Sequence, residues 1–126
     1  EEMPTRLERI VRGITAGMRA ECNINYTFGY PVTVNDLDKA QFARRVAGGI
    51  VGEANVVSVG MSMGAEDMAY FLEAVPGCYL RLGSGNPDKG LIHPHHSALF
   101  NFDEAALPIG VELLTQLTLA YLSGQE

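Results

Sequence analysis

The sequence predicts an α/β protein, and three observations carry the prediction. From residue 37 onward, helical periodicity alternates with short apolar runs bounded by glycine and proline, the pattern of an α/β layer. Residues 21–28 alternate strictly between apolar and polar side chains, the period of a half-exposed antiparallel strand. The chain has 126 residues, 47% hydrophobic and 19% charged. That is the composition of a soluble globular protein, and enough chain for one ordinary domain or pieces of two.

Residues 5–19 read as a helix. Leu7, Ile10, Val11, Ile14 and Met18 recur at intervals of three and four, while Arg6, Arg9, Arg12 and Arg19 take the wet side. Pro4 suits the first turn, where its missing N–H removes nothing. The strand that follows sets Cys22, Ile24, Tyr26 and Phe28 on one face and Glu21, Asn23, Asn25 and Thr27 on the other, before Gly29-Tyr30-Pro31 ends it. One helix and one strand cannot enclose a core. Residues 1–35 are therefore expected to complete a larger sheet, pairing through the edge of 21–28, with a boundary at 31–36.

Asp36 or Asn35 can cap a second helix over 37–51, with Leu37, Ala40, Ala43, Val46, Ala47 and Ile50 facing inward. Gly48-Gly49 weakens its end. Residues 55–59 are a β-branched strand, 60–64 a turn, 65–74 a short helix ended by Pro76-Gly77, and 77–82 a buried strand. The segment 83–90 carries tight-turn chemistry. Asp103 can cap a long helix over 105–122, with Leu107, Val111, Leu114, Leu117 and Tyr121 along one face. Pro108, at the end of its first turn, removes one hydrogen bond. Glu112, Thr115, Gln116 and Thr118 make this a core helix and not a membrane span.

A net charge of −6 argues against nucleic acid and against anionic membrane surfaces. Cys22 and Cys78 are read as reduced, buried strand residues, which points to the cytoplasm. No signal-peptide pattern opens the chain. It starts Glu-Glu-Met-Pro without an initiator methionine, which leads to the expectation of sequence upstream.

The chemistry-bearing residues gather in few places. All three histidines, His93, His95 and His96, fall within four residues on a loop before the long helix. Such a loop can hold one or two metal ligands, since adjacent side chains diverge, but zinc asks for three or four. The alternative is a solvated polar loop. Glu66 and Asp67 open the short helix, where they favour the helix dipole or accept a hydrogen bond from a metal-ligating histidine. Gly83-Ser84-Gly85-Asn86 lacks the lysine ending or the third glycine of a phosphate loop, which disfavours a nucleotide site. Ser97 beside His96 has no nucleophile-elbow context and is set aside as a hydrolytic serine.

Taken together, these residues resemble a known family. Met63-Gly64-Ala65-Glu66-Asp67-Met68-Ala69-Tyr70 is similar to the Gly-(Ser/Ala)-Glu-Asp-Phe-Ala-Tyr motif of the metallopeptidases that include hippurate hydrolase, aminoacylases and other N-acyl-amino-acid amidohydrolases. Residues 95–104 are similar to its Leu-His-(Ser/Asn)-Pro-x-Phe-Asp-Phe-Asp-Glu motif, with Ala98 for the usual proline and Asn101 for the usual aspartate. Gly29-Tyr30-Pro31 with Val34-Asn35-Asp36 looks like the end of that family's inserted lid. The resemblance covers essentially the whole chain.

It implies the C-terminal portion of a zinc-exopeptidase-like catalytic domain (36–126), preceded by one helix and one strand of the lid and dimerisation domain (1–35). It implies metal-assisted hydrolysis of N-acyl amino acids or small peptides, in which two divalent ions activate a bridging water and a glutamate shuttles its proton. His96 matches the last metal ligand, and Glu66 and Asp67 match the acidic pair beside the site. The metal would be zinc, with manganese or cobalt as alternatives, and the complete enzyme a homodimer through the lid. No catalytic residue is expected in this chain, because the general-base glutamate and remaining ligands lie upstream of the lid in the family. The competing expectation is a non-catalytic fragment that serves only as an interaction or assembly piece.

Overall fold

The computed structural model describes residues 2–124. Four α-helices stand in order: α1 (Glu2–Gly17), α2 (Leu37–Val51), α3 (Met68–Ala74) and α4 (Ala106–Leu122). Two short 3-10 turns cover Glu53–Asn55 and Pro87–Lys89.

Helix α1 ends at Gly17, but the left-handed residue that follows is not a glycine. Arg19 takes the left-handed conformation (φ 53°), the N–H of Ala20 reaches the Thr15 carbonyl at 2.9 Å, and that of Arg19 reaches Ala16 at 3.0 Å. This is the glycine-type helix stop with an arginine in the strained position. No residue of α1 is buried, and its stripe remains in solvent at Leu7, Ile10 and Ile14.

Asp36 caps α2, its Oδ1 accepting the Lys39 N–H at 3.0 Å. Asn35, the other candidate cap, does something different. Its side-chain amide donates to the Tyr79 carbonyl at 3.1 Å and accepts the Tyr79 N–H at 2.8 Å, imitating a strand partner across the start of α2. Helix α2 runs through Gly48 and Gly49 and stops at Gly52 (φ 84°), whose N–H donates to the Gly48 carbonyl. It packs against α4 and against the Glu53–Asn55 turn. Ala43 is buried as the periodicity requires, but Leu37 is exposed and Phe42 is buried beside Ala43. Phe42, Ala43, Ala69 and Ala106 form the buried core, in which covering the Phe42 ring contributes about 2 kcal/mol.

The long helix turns a different face inward than expected. Ala106 is buried and Ile109, Gly110, Leu113, Leu117 and Ala120 are half-buried, whereas Leu107, Val111, Leu114 and Tyr121 are exposed. Both stripes satisfy the helical period, because α4 is apolar nearly all round, so periodicity alone does not choose between them. Only the stripe facing α2 is covered. Gly110 lets the 77–82 segment come close: a Cβ there would stand 3.1 Å from Leu82 Cδ2. Pro108 is the third residue of the helix, where its N–H would have no partner in the helix anyway, so no hydrogen bond is lost.

The expected strands are absent among the described residues. Residues 21–28, 56–59 and 77–82 run without strand structure, and the sole ladder fragment is an isolated antiparallel bridge between Asn86 and Leu91. A strand exists only where a neighbouring backbone completes a ladder of hydrogen bonds, and these segments meet no such ladder. Side chains and loop contacts hold them instead. Arg44 donates to the Val56 carbonyl and Ser58 Oγ, the Asp36 N–H donates to the Gly77 carbonyl, and Thr15 Oγ1 lies 3.3 Å from Cys22 Sγ. Cys22 and Ile24 are half-buried while Glu21, Asn23 and Asn25 are exposed, so part of the alternation survives without the ladder. Cys22 and Cys78 are free thiols, half-buried and outside strands. No helix of the described residues is long and apolar enough to cross a membrane.

Candidate functional site

The histidine loop begins at a tight reversal. The Asn86 N–H donates to the Leu91 carbonyl and the Leu91 N–H to the Asn86 carbonyl, both at 2.9 Å. Between them Pro87–Lys89 makes one 3-10 turn and Gly90 takes φ 70°, a conformation that glycine adopts without a Cβ clash. Asn86 Oδ1 accepts the Lys89 N–H at 3.3 Å, an Asn-Pro start typical of such turns.

Two further turns follow. In the first, the Ser97 N–H donates to the Pro94 carbonyl at 3.2 Å, placing His95 and His96 at its centre. His96 is left-handed, at φ 67°. Histidine visits this region more readily than most residues, yet holding it there costs on the order of 1 kcal/mol, comparable to the ~1 kcal/mol net contribution of one turn hydrogen bond. Strain of this kind concentrates where a side chain must be aimed. In the second turn the Phe100 N–H reaches the Ser97 carbonyl at 3.0 Å, and Ser97 Oγ accepts the Leu99 N–H at 3.1 Å. Ala98 is the second residue of that turn, the position proline favours. The loop's rings form a row: His95 stands edge-on to Phe100 at 4.7 Å, and Phe100 stacks with Phe102 at 6.4 Å. Asn101 Oδ1 accepts the Phe102 N–H at 2.9 Å, as an aspartate oxygen would.

Asp103 closes the loop. Its N–H donates to the Ser84 carbonyl at 2.8 Å. Its carboxylate accepts Asn86 Nδ2 at 2.6 Å, Lys89 Nζ at 2.8 and 3.0 Å, and the Ala105 N–H at 3.2 Å. The hydrogen bond from Lys89, then that from Asn86, then that from the Ala105 N–H, hold its pKa down at about 2. Asp103 is not the helix cap that the sequence suggested: Ala105 holds that position without a side-chain cap bond, and Asp103 instead makes a turn just ahead of α4, its carbonyl accepting the Ala106 N–H at 3.0 Å. The tie to Asn86 and Lys89 is a contact that sequence reasoning missed. The turn signal at Asn86-Pro87 was visible, but nothing in the spacing linked it to Asp103.

Glu66 and Asp67 precede α3 instead of lying within it. Glu66 Oε1 accepts the Met68 N–H at 3.3 Å, and Asp67 occupies the cap position without a side-chain cap bond. The Tyr79 hydroxyl, then the Met68 amide, hold Glu66 below the usual carboxylate range, and the same bond raises Tyr79. Glu66 is thus a charged acceptor at neutral pH. Among the described residues, no hydrogen bond joins Glu66 or Asp67 to His96. A groove of about 340 Å³ lies between the start of α2 and the end of α3, lined by Val34, Asp36, Leu72 and Pro76 among others, and includes no histidine.

His93, His95 and His96 are all exposed. Among the described residues, no three of His, Cys, Asp and Glu come together as a possible metal shell. The described residues thus offer exposed imidazoles as ligand donors and not a whole site, which takes three or four protein ligands.

Comparison with known proteins gives the chain its place. Residues 2–120 match the family described as Peptidase family M20/M25/M40. The chain is 34% identical over 125 residues to probable hydrolase sll0100 of Synechocystis sp., covering 98% of this chain and 30% of that protein. It is 35% identical over 105 residues to thermostable carboxypeptidase 2 of Saccharolobus solfataricus, covering 82% of this chain and 26% of that one. With IAA-amino acid hydrolase ILR1-like 4 of Arabidopsis thaliana it shares 30% identity over 128 residues, covering 96% and 28%. The chain thus spans under a third of the length of these relatives. With nearly its whole length matched, the chain belongs to peptidase family M20/M25/M40.

Proposed function

We propose that this chain is the C-terminal part of a metal-dependent hydrolase that cleaves the amide bond of N-acyl amino acids or small peptides. The match over residues 2–120 carries this reading. A carboxypeptidase and an IAA-amino acid hydrolase among the relatives favour an amide of an amino acid as substrate. Residues 1–35 would complete the lid, through which two copies pair, and 36–126 the catalytic α/β domain. In the whole protein, segment 21–28 within the lid and segments 55–59 and 77–82 within the catalytic domain would gain the strand partners they lack here. The compartment would be the cytoplasm, in keeping with two free thiols.

His96 is the residue of this chain that would hold a divalent ion, zinc with manganese or cobalt as alternatives. Its exposed imidazole sits on a left-handed turn corner in a loop tied at both rims. When bound, such an ion supplies polarisation of an amide carbonyl and a lowered pKa for water. Glu66, ionised and hydrogen-bonded by Tyr79, would stand beside the site with Asp67 to orient a ligating imidazole. The general base would come from the rest of the protein.

The test is substitution in the full protein that carries this chain. His96→Ala is expected to lower metal affinity and kcat/KM by about 100-fold or more, while His93→Ala, which removes a histidine outside the turn, changes either by less than about threefold. Equal losses from the two substitutions would overturn the assignment. A second reading, an assembly piece with no catalysis of its own, draws support from the exposed apolar stripes of α1 and α4.

A further inference from the structure

The histidine loop is anchored at one point from both sides. Its entry is fixed by the two-way backbone pairing of Asn86 with Leu91, and its exit by the bond from the Asp103 N–H to the Ser84 carbonyl. The Asp103 carboxylate then joins entry to exit, through Asn86 Nδ2 at 2.6 Å and Lys89 Nζ at 2.8 Å. Between these rims the segment 92–102 has only its own two turns and a row of rings to order it. Its apolar side chains secure it only in part: Ile92 and Leu99 are 66% and 67% exposed, Phe100 and Phe102 39% and 38%. A left-handed histidine persists only where the structure around it over-determines its backbone.

We propose that Asp103, with Asn86 and Lys89 as its partners, is a positioning clamp for the histidine loop: by pinning both rims together it keeps the Pro94–Ser97 turn closed and fixes the direction in which His96 is presented. The clamp acts on His96 through the backbone and touches neither substrate nor ion. Its value to a reaction rests on the reading of His96 as a metal ligand; its existence does not.

The experiment uses the 126-residue chain and nuclear magnetic resonance, which reads the loop directly. The edge contact of His95 with Phe100 should displace the His95 ring-proton resonances from free-histidine positions, and the 92–102 amides should show order parameters near the rigid value of about 0.85. In Asp103→Ala, and more weakly in Lys89→Met, the His95 signals should collapse toward free-histidine positions. The loop order parameters should fall below about 0.6, while the α2–α4 signals of Phe42 and Ala43 stay in place. Asp103→Glu, which keeps the charge and acceptors on a longer arm, should restore part of the displacement. A purely structural role would lower the unfolding midpoint without altering these signals in the folded protein. Unchanged loop signals in a folded Asp103→Ala chain would therefore overturn the clamp. Should Asp103→Ala not fold, Lys89→Met decides alone, since it removes the cation and leaves the Asp103 carboxylate with its bond from the Ala105 N–H. Loss of activity in His96→Ala of the full protein, with the loop indifferent to both clamp variants, would keep the ligand assignment and reject the clamp. The reverse pattern would keep the clamp and reject the ligand.

Discussion

Asp103 is where a local preference and a distant contact meet in one carboxylate. It accepts the Ala105 N–H just ahead of α4 and also grips Lys89 and Asn86 from an earlier turn. Because these donors stabilise its charged form, its folded pKa of about 2 lies below the ordinary value of 3.8. A depressed folded pKa means stability that is complete above the ordinary value and lost as pH falls through 3.8 toward 2. Urea unfolding between about pH 5 and about pH 2 should thus show a steeper loss for the native chain than for Asp103→Asn, whose side chain does not titrate there. Added salt should shrink the difference, since Lys89 is exposed. Equal slopes would show that the contacts of Asp103 contribute nothing. A local role for Asp103 ahead of α4 was legible in the sequence because it joins neighbours, although the cap position itself falls to Ala105. The tie to Lys89 was not, since a pairing across fourteen residues leaves no periodic trace. The left-handed turn at His96 was equally hidden, because glycine, the residue that announces such a corner, is missing there.

Among elements, the sequence was informative wherever the stabilising bonds are local. Helix α2 spans the residues expected of it, and Asp36 caps it as its chemistry suggests. The strands expected at 21–28, 55–59 and 77–82 do not form among the described residues, because alternation names a face and not the neighbour that must pair with it. Helix α4 shows the other limit: an apolar helix offers several equivalent stripes, and only the partner selects one. The double glycine in α2 allows a direct measurement of local cost. A Cβ on Gly49 meets nothing within 4 Å, whereas one on Gly48 stands 3.3 Å from Glu53 Cγ. Gly49→Ala should therefore stabilise the chain by about 1 kcal/mol, and Gly48→Ala by less. Urea midpoints of the two variants check this ordering. An unchanged midpoint for Gly49→Ala would show that this part of α2 is frayed in solution.

The whole molecule keeps few apolar side chains from water. Among the described residues the buried core is one phenylalanine and three alanines, while Ile10, Ile14, Val111 and Leu114 are each more than half exposed. Surfaces of this kind fit a chain that meets further structure along both α1 and α4. The same sparseness applies to chemistry, since the described residues assemble no metal shell. The 126-residue chain alone is expected to hydrolyse none of a panel of N-acetyl and N-benzoyl amino acids, with zinc, manganese or cobalt added. It is also expected to bind a dye such as anilinonaphthalene sulfonate strongly through its open apolar stripes. Turnover that copurifies with the chain and vanishes in His96→Ala would refute this, and would mean that a complete site forms from these residues.

The tethered loop has a bearing on how its sequence can drift. Ala98 stands where the family motif has proline and Asn101 where it has aspartate, yet the turn at 97–100 closes and Asn101 still offers its oxygen to the next amide. A segment whose shape is imposed from its ends tolerates exchange in its interior, provided each newcomer supports the same turn. Variation among homologous proteins should therefore accumulate at positions such as 98 and 101 while the residues at the two rims stay fixed. In this loop, inheritance would preserve the frame and leave the infill free to change.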